Sequence, residues 1–167
     1  GTPINKDNYE PIMAHLNSAV KAVGKILKKS DLVILRSTVP IGCTREIILP
    51  LLEKQSGLKA SKDFFLAFCP ERTIEGNALV ELNKLPQVIG ALDDSSMEKA
   101  VNLFTNLSDS LIQVTSLEAA ELVKLLNNTF RDSVFAIANS FNNIAQEFGI
   151  KGNELIEKSN LDYPRSN

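Results

Sequence analysis

Three polar side chains of types that can bind a reacting oxygen recur at helical spacing in the segment 118–132, EAAELVKLLNNTFRD. At 100° per residue, Asn128 lies about 40° and Arg131 about 20° around the helix from Lys124, so all three share one face. A lysine ammonium can stabilise an oxyanion, and an asparagine one turn further on can donate a second hydrogen bond to the same oxygen. Such a stripe beside an apolar seam is where a cleft would lie, but a solvated polar face has the same periodicity.

A second group of polar residues follows an apolar run. Arg36, Ser37 and Thr38 come directly after LVIL (32–35), which is typical of a buried strand, and Pro40 stiffens the following turn. In open α/β sheets, ligands bind beyond the carboxyl ends of the strands. The hydroxyls of Ser37 and Thr38 are therefore candidates for ligand binding, and the alternative is an ordinary connector between a strand and a helix.

A third group occupies the loop 69–76, CPERTIEG, which follows the next apolar run. Glu71, Arg72, Thr73 and Glu75 crowd a short segment bounded by proline and glycine. A carboxylate here could accept a hydrogen bond from a sugar hydroxyl or orient a water molecule. A solvated turn is the alternative, since glutamate and arginine are normally exposed.

Cysteine and histidine are too scarce to build other common sites. The chain has one histidine, His15, and two cysteines, Cys43 and Cys69. A histidine-based zinc site or catalytic triad is therefore not expected, and no metal is implied. Cys43 lies at a helix start without a histidine partner and Cys69 ends an apolar strand, so both are interpreted as structural.

Composition excludes several classes of function. The chain has 167 residues, 44% hydrophobic and 23% charged, which is ordinary for a globular protein of one domain or one domain with an appendage. A net charge of −2 is not the excess of positive charge that is typical of proteins that bind nucleic acid or an anionic membrane, so neither is expected as a partner. The amino terminus does not resemble a signal peptide, and no uncharged stretch approaches a membrane span.

Helices and short strands alternate in the first two thirds of the chain. This order predicts an α/β fold, with a partial Rossmann-like sheet that is parallel at least in part and is flanked by helices. The predicted helices are 8–29, from Thr44 as N-cap to Glu53, and from Asp93 to Leu107. The predicted strands are 32–35, 64–68, 85–89 and 111–114.

One long helix is predicted over 116–149, because no glycine or proline occurs there until Gly149 ends it. A further helix starts at Gly152. We assign residues 1–115 to the sheet domain and 116–167 to a helical domain. A buried apolar seam is expected along the long helix at Val123, Leu126, Phe130, Val134, Ile137, Phe141, Ile144 and Phe148.

Three motifs together resemble the nucleotide-sugar 6-dehydrogenases, the UDP-glucose/GDP-mannose dehydrogenase superfamily. They are STVPIGCT (37–44), FCPERTIEGNALVELNKLPQVIGA (68–91) and EAAELVKLLNNTFRDSVFAIANSFNNIAQEFGI (118–150). They occur in the family's own order and, with the terminal segments GTPI and YPRSN, cover nearly the whole chain. The resemblance is greatest to the UDP-N-acetylmannosamine branch.

The resemblance implies a chemistry. The family oxidises the C6 alcohol of a UDP-sugar to the uronate with two NAD⁺, in two hydride transfers through a cysteine-bound thiohemiacetal and thioester. It therefore implies NAD as cofactor, a UDP-sugar as substrate and a cytoplasmic enzyme of polysaccharide biosynthesis. UDP-N-acetylmannosamine is the favoured substrate, with UDP-glucose next.

Roles at the strand ends follow from the same resemblance. Thr38 resembles the threonine that lines the nicotinamide site and helps to hold a water molecule, and Ser37 is expected to bind the cofactor beside it. Glu75 corresponds to the glutamate that handles the hydrolytic water beside the cofactor. The loop that wraps the sugar contains Glu71, Arg72, Thr73 and Ile74.

On the long helix, the resemblance assigns Lys124 and Asn128 to the pair that holds the C6 oxygen and stabilises the oxyanion. Arg131, followed by Asp132, resembles the RD signature of members that act on N-acetylhexosamine sugars. Many of those members have proline where this chain has Glu75, which leaves the substrate subgroup open.

Several family features are missing from these residues. The nucleophilic cysteine is expected shortly after YPRSN, a place that neither Cys43 nor Cys69 occupies. The GxGxxG phosphate loop is expected before Gly1, and a UDP-binding domain is expected after the helical one. We therefore expect a central fragment that is catalytically inactive by itself.

Two other functions remain open. A 3-hydroxyacid dehydrogenase relative would also have a lysine and an asparagine four residues apart on a long helix, but the STVP and PERTIEG segments argue against it. A non-catalytic helical dimerisation module is the second, because family members pair through this helix. In either the family or the module, a homodimer through 116–149 is expected.

Overall fold

The computed structural model describes residues 2–73, 76, 81 and 83–163. The chain forms two compact units, Gly1–Leu125 and Leu126–Asn167. Within the described residues, no helix has both the length and the apolar character needed to cross a membrane. The elements in chain order are α1 (Ala14–Ile26), β1 (Leu32–Leu35), a π-helical turn (Thr44–Ile48) leading into α2 (Leu49–Ser56), β2 (Phe65–Phe68), β3 (Gln87–Ala91), α3 (Asp94–Thr105), β4 (Leu111–Gln113), α4 (Leu117–Glu147) and α5 (Gly152–Asn160).

The four strands form one mixed sheet in the order β1-β2-β3-β4. β1 is parallel to β2 and β3 is parallel to β4, which confirms the predicted α/β fold with a partly parallel sheet. β2 and β3 are antiparallel, a feature that the apolar runs do not specify because strand direction depends on the pairing partner. As a result, the amino end of β3 lies at the same end of the sheet as the carboxyl ends of β1 and β2.

Both faces of the sheet are covered, which is why its strands are short apolar runs rather than alternating patterns. Successive side chains of β2 point to opposite faces. Leu66 and Phe68 belong to a core cluster that includes Leu117 and Ala120 of α4. Ala67 belongs to the other cluster, which includes residues of α3. The first turn of α4 is therefore part of the sheet domain's own core.

Two expectations about helix starts are wrong. Thr44 is the first residue of the π-helical turn rather than its N-cap, because its hydroxyl donates to a carboxylate on another helix. The first helix begins at Ala14 rather than near residue 8, since the preceding segment forms a bridge between Ile4 and Pro11.

The second unit contains the rest of α4 together with α5. The predicted long helix is confirmed, and Gly149 follows its end in the left-handed conformation with a φ of +69°. The apolar seam expected to be buried is exposed from Leu126 to Phe148. The helix has 31 residues and its neighbour α5 has 9, so α5 is too short to cover the seam.

β3 and the start of α4 approach closely at Gly90. A Cβ at this position would lie 2.1 Å from the carbonyl oxygen of Ser116 and 2.8 Å from the Cβ of Ala120. Because the first of these contacts is with backbone, it could be relieved only by moving α4 away from the sheet.

An ion pair joins the π-helical turn to the first turn of α4. Arg45 Nε donates to Glu118 Oε1 at 2.6 Å. This hydrogen bond holds the pKa of Glu118 at about 2, well below its ordinary value, although partial burial acts in the opposite direction. The pair adds an electrostatic contact to the apolar packing of α4 on the sheet.

Replacing Gly90 by alanine is expected to destabilise the chain by about 3 kcal/mol, because the added methyl group meets backbone that cannot rotate away. Gly57→Ala is the control, since nothing lies within 4 Å of its Cβ position and its φ is +71°. The control should cost about 1 kcal/mol from the left-handed conformation alone. Urea unfolding of both variants measures the difference, and equal losses would contradict the close approach.

Replacing Glu118 by glutamine is expected to lower the free energy of unfolding by less than about 1 kcal/mol at neutral pH, because the ion pair is partly exposed. The folded-state pKa is depressed, so the stabilisation is present above the ordinary value of 4.5 and is lost as the pH falls towards about 2. Unfolding curves of the variant and the parent chain should converge over that interval. A difference that persists unchanged in acid would assign the effect to packing rather than to charge.

Candidate functional site

The loops that follow β1 and β2 lie side by side. Backbone pairing continues beyond the strands, since the Cys69 N–H donates to Leu35 O at 3.0 Å and the Glu71 N–H donates to Arg36 O at 3.1 Å. Ser37 and Thr38 follow Arg36 and are half-buried. The structure thus brings the two predicted polar loops together at the carboxyl ends of parallel strands, where α/β sheets bind ligands.

The carboxylate of Glu71 shapes its own loop. It accepts hydrogen bonds at 2.9 Å from the N–H groups of Arg72 and Thr73, and it pairs with Arg36 at 2.9 Å. Partial burial acts to raise the pKa of Glu71, but the hydrogen bonds with Thr73 and the charge of Arg36 outweigh it and hold that pKa below its ordinary value. The ionised carboxylate of Glu71 therefore holds the backbone of Arg72 and Thr73 in place.

Arg36 lies between three groups. Besides pairing with Glu71, its guanidinium donates to Gln87 Oε1 at 3.3 Å and stacks over the Phe104 ring, 5.3 Å from the centroid. Gln87 is buried at the amino end of β3, so it reaches Arg36 only because β2 and β3 are antiparallel. Gln87 was not among the predicted site residues, although a glutamine that opens an apolar strand is an available signal.

Cys69 lies beside the same glutamine. Its thiol is 3.6 Å from Gln87 Oε1, and burial raises its pKa to about 11. Burial, followed by the negative charge of Glu121, likewise raises the pKa of Cys43 to about 11. Both thiols are therefore protonated near neutral pH, as their structural interpretation requires.

Lys124 is the cation that the structure brings to these loops. It lies in the second turn of α4, half-buried, and its Nζ donates to the carbonyl oxygen of Glu71 at 2.6 Å. This geometry places a positive charge at the end of the sheet. Of the residues predicted on the helix, Lys124 is the one that belongs to the first unit.

Glu121 was missed by the sequence analysis. Its side chain is 1% exposed and accepts hydrogen bonds from the N–H of Gly42 at 2.6 Å and from the N–H and hydroxyl of Thr44 at 2.8 and 2.5 Å. The available signal was its position, because it lies four residues after the buried Leu117 and so shares a helix face with it. Polar patterning alone places such a glutamate on the solvated side.

The other residues predicted in the loops have different positions. Arg72 donates to the carbonyl oxygen of Pro86 at 3.1 Å, which links this loop to the residue before β3. Thr73 is half-buried and its N–H is bound by Glu71. Ile74 and Glu75 lie outside the described residues, so their predicted roles receive no structural account.

The polar residues predicted further along α4 lie in the second unit. Asn128 is half-buried, and the exposed Arg131 pairs with its neighbour Asp132 at 3.0 Å. Among the described residues, no group of three or more histidine, cysteine or acidic side chains is placed to hold a metal ion.

Comparison with known families gives two matches in the order of the chain. Residues 1–108 match the NAD binding domain of the UDP-glucose/GDP-mannose dehydrogenase family, and residues 118–166 match its central domain. The first match covers β1 to β3 with the loops that follow β1 and β2, and the second covers nearly all of α4 and the whole of α5.

Individual relatives have the same segment within longer chains. The UDP-N-acetyl-D-mannosamine dehydrogenase of Pyrococcus horikoshii is 35% identical over 98% of this chain and 38% of its own length. The enzyme of the same name from Yersinia pestis is 37% identical over 97% of this chain and 40% of its own length. The chain therefore spans about two fifths of these curated relatives.

Solved structures agree with these matches. A UDP-D-ManNAc dehydrogenase from Pyrococcus horikoshii superposes with a TM-score of 0.88 at 34% identity, covering 98% of this chain and 38% of that one. A ternary complex of GDP-mannose dehydrogenase from Pseudomonas aeruginosa gives 0.85 at 28% identity, with the same coverage.

A more distant structure shares the fold alone. The Mycobacterium tuberculosis 3-hydroxyisobutyrate dehydrogenase has a TM-score of 0.59 at 17% identity, covering 84% of this chain and 46% of that one. By contrast, the two family matches together take in the STVP turn, the PERTIEG loop and the helix that carries Lys124. As the resemblance of its motifs predicts, the chain belongs to the UDP-glucose/GDP-mannose dehydrogenase family.

Proposed function

We propose that this chain forms the centre of an NAD-dependent dehydrogenase that oxidises the C6 alcohol of a UDP-sugar to the uronate. The observation that carries the proposal is the hydrogen bond from Lys124 Nζ to the carbonyl oxygen of Glu71. It joins the family's helix to the family's sugar loop and aims a cation at the end of the sheet. UDP-N-acetylmannosamine is the favoured substrate, supported by relatives of 35% and 37% identity that bear that name.

The proposal divides the chain between two domains. Residues 1–115 would be the carboxyl-terminal part of the NAD-binding domain, and residues 116–167 would begin the helical domain. The two family matches, which end at 108 and begin at 118, support a boundary in this interval. The compact units instead divide at Leu125, because the first turns of α4 pack into the core of the sheet domain.

Lys124 would hold the sugar C6 oxygen and stabilise the negative charge that develops as the alcohol is oxidised. Asn128, four residues further along α4, would donate a second hydrogen bond to that oxygen. Glu71 to Ile74 would wrap the sugar, with Glu71 fixing the loop through its bonds to the N–H groups of Arg72 and Thr73. Arg131 would contribute to recognition of an N-acetylhexosamine.

The residues after β1 fit the nicotinamide end of NAD. Ser37 and Thr38 place two hydroxyls, half-buried, at the carboxyl end of a parallel strand, and Val39 behind them is 3% exposed. Bound NAD supplies a hydride acceptor. Thr38 and Glu75 would hold the water molecule that is used for hydrolysis, a role that for Glu75 depends on the family resemblance.

Oxidation of an alcohol to a carboxylate removes four electrons, so it requires two hydride transfers and one water molecule. The family joins the two steps through a cysteine thiolate. Cys43 and Cys69 are 2% and 0% exposed, and the pKa of each is raised to about 11, so neither would serve. The nucleophile would therefore come from outside these 167 residues, and the chain alone would produce no NADH.

In the complete protein that contains this chain, Lys124→Ala is expected to lower kcat for NADH formation with UDP-N-acetylmannosamine by about 10²–10³-fold, through loss of oxyanion stabilisation. NADH absorbance measures the rate, with UDP-glucose assayed in parallel. Lys25→Ala, which removes an exposed lysine of α1, is the matched control. An unchanged kcat for Lys124→Ala would contradict the assigned role, and a complete protein without activity on either sugar would contradict the proposed function.

The exposed apolar face of α4 favours a second function, self-association. Phe130 and Phe141 are 71% and 54% exposed, and the other seam residues from Leu126 to Phe148 are exposed as well. An apolar patch of this extent is typical of a protein–protein interface. A homodimer through this helix would bury the patch. A dimerisation module without catalysis would need no other site.

At tens of micromolar, the 167-residue chain is expected to sediment as a dimer, because burial of the seam in a second copy removes apolar surface from water. Phe130→Glu combined with Phe141→Glu should give a monomer, since the dimer would bury unpaired charges. Asn139→Glu places one such charge at another exposed position of α4 and should leave the dimer intact, whereas Phe130→Glu alone should weaken it. A parent chain that sediments as a monomer would count against the interface.

A further inference from the structure

Glu121 is a buried carboxylate that the proposed chemistry does not use. Its side chain is 1% exposed, and it lies in α4 between the core residue Ala120 and the exposed Leu122. Burial of a carboxylate is costly unless hydrogen bonds replace its hydration. The structure therefore has to provide specific partners for this side chain.

Those partners all belong to one turn of the chain. Oε2 accepts the Gly42 N–H at 2.6 Å, and Oε1 accepts the Thr44 N–H at 2.8 Å and the Thr44 hydroxyl at 2.5 Å. Gly42 has a φ of +83°, a conformation that favours glycine and directs its N–H towards Glu121. These amides start the π-helical turn, so their partial positive charge also favours an anion.

Glu121 and Lys124 are three residues apart on α4, so they share one face of the helix. Glu121 binds the turn that begins four residues after Thr38, and Lys124 binds the carbonyl oxygen of Glu71 in the neighbouring loop. This one face of α4 thus connects the loop that follows β1 with the loop that follows β2.

We propose that Glu121 is a positioning residue that fixes Lys124 relative to the hydroxyls of Ser37 and Thr38. The inference rests on the proposed function, in which Lys124 holds the sugar oxygen and Ser37 and Thr38 face the nicotinamide. Hydride transfer requires the reacting carbon and its acceptor to be held in contact. A displacement between the two loops would therefore slow the chemical step more than it would weaken either binding event.

The most direct test removes one contact of Glu121 without changing any charge. In the complete protein, Thr44→Val deletes the hydroxyl and is expected to lower kcat about tenfold, with little change in KM for NAD or for the UDP-sugar. Thr44→Ser keeps a hydroxyl and should restore most of the parental kcat. Glu118→Gln, which breaks the neighbouring exposed contact between the same two segments, should leave kcat within about twofold.

A second measurement does not depend on activity. In the 167-residue chain, acylation of lysines by an amine-reactive ester is followed by peptide mass spectrometry, with the exposed Lys25 as internal reference. Thr44→Val is expected to raise the rate at Lys124 about threefold relative to Lys25, because loosening of α4 frees the ammonium from Glu71. Thr44→Ser should leave the acylation rate at Lys124 unchanged.

Two outcomes would overturn the proposal. One is a Thr44→Val protein that is less stable but retains the parental kcat and the parental reactivity of Lys124, which would make Glu121 a structural residue only. The other is equal loss of kcat in Thr44→Val and Thr44→Ser. If the complete parent protein oxidises no UDP-sugar, the proposed function fails, whereas the acylation rates still decide whether Glu121 positions Lys124.

Discussion

The burial of one carboxylate constrains the arrangement of the sheet domain. Glu121 loses its hydration in the folded chain and regains hydrogen bonds only if the turn at Gly42 and Thr44 lies directly against α4. The absence of a side chain at Gly90 permits the same helix to approach β3 to backbone contact. Apolar packing, which is not directional, supplies most of the stability, whereas these contacts specify where α4 begins and how it is rotated.

The electrostatics of the two strand-end loops depend on that placement. The side-chain carboxylate of Glu71 pairs with Arg36 and accepts a hydrogen bond from the N–H of Arg72 in its own loop. The backbone carbonyl oxygen of Glu71 accepts a hydrogen bond from Lys124. Glu71 therefore links Arg36, in the loop that follows β1, to Lys124 on α4. These contacts fix the backbone of residues 71–73 beside Arg36.

Much of the fold was predictable from local sequence. The apolar run at 32–35 coincides with β1, and the absence of glycine and proline from 116 to 148 correctly predicts one long helix. Strand direction was harder to predict from the sequence. The antiparallel strands β2 and β3 are separated by a connection long enough to permit either direction. That pairing places Gln87 beside Arg36 and Cys69, a polar contact that no local pattern indicates.

The sequence by itself determined the family, the order of the elements and the candidate residues at the strand ends, because motif spacing and apolar periodicity are local properties. Only the tertiary structure decided which of these residues interact. Lys124 donates to a backbone carbonyl, and carbonyl positions cannot be read from residue types. Glu121 has the residue type of a surface glutamate, and its burial became favourable only when a distant turn supplied three donors at once.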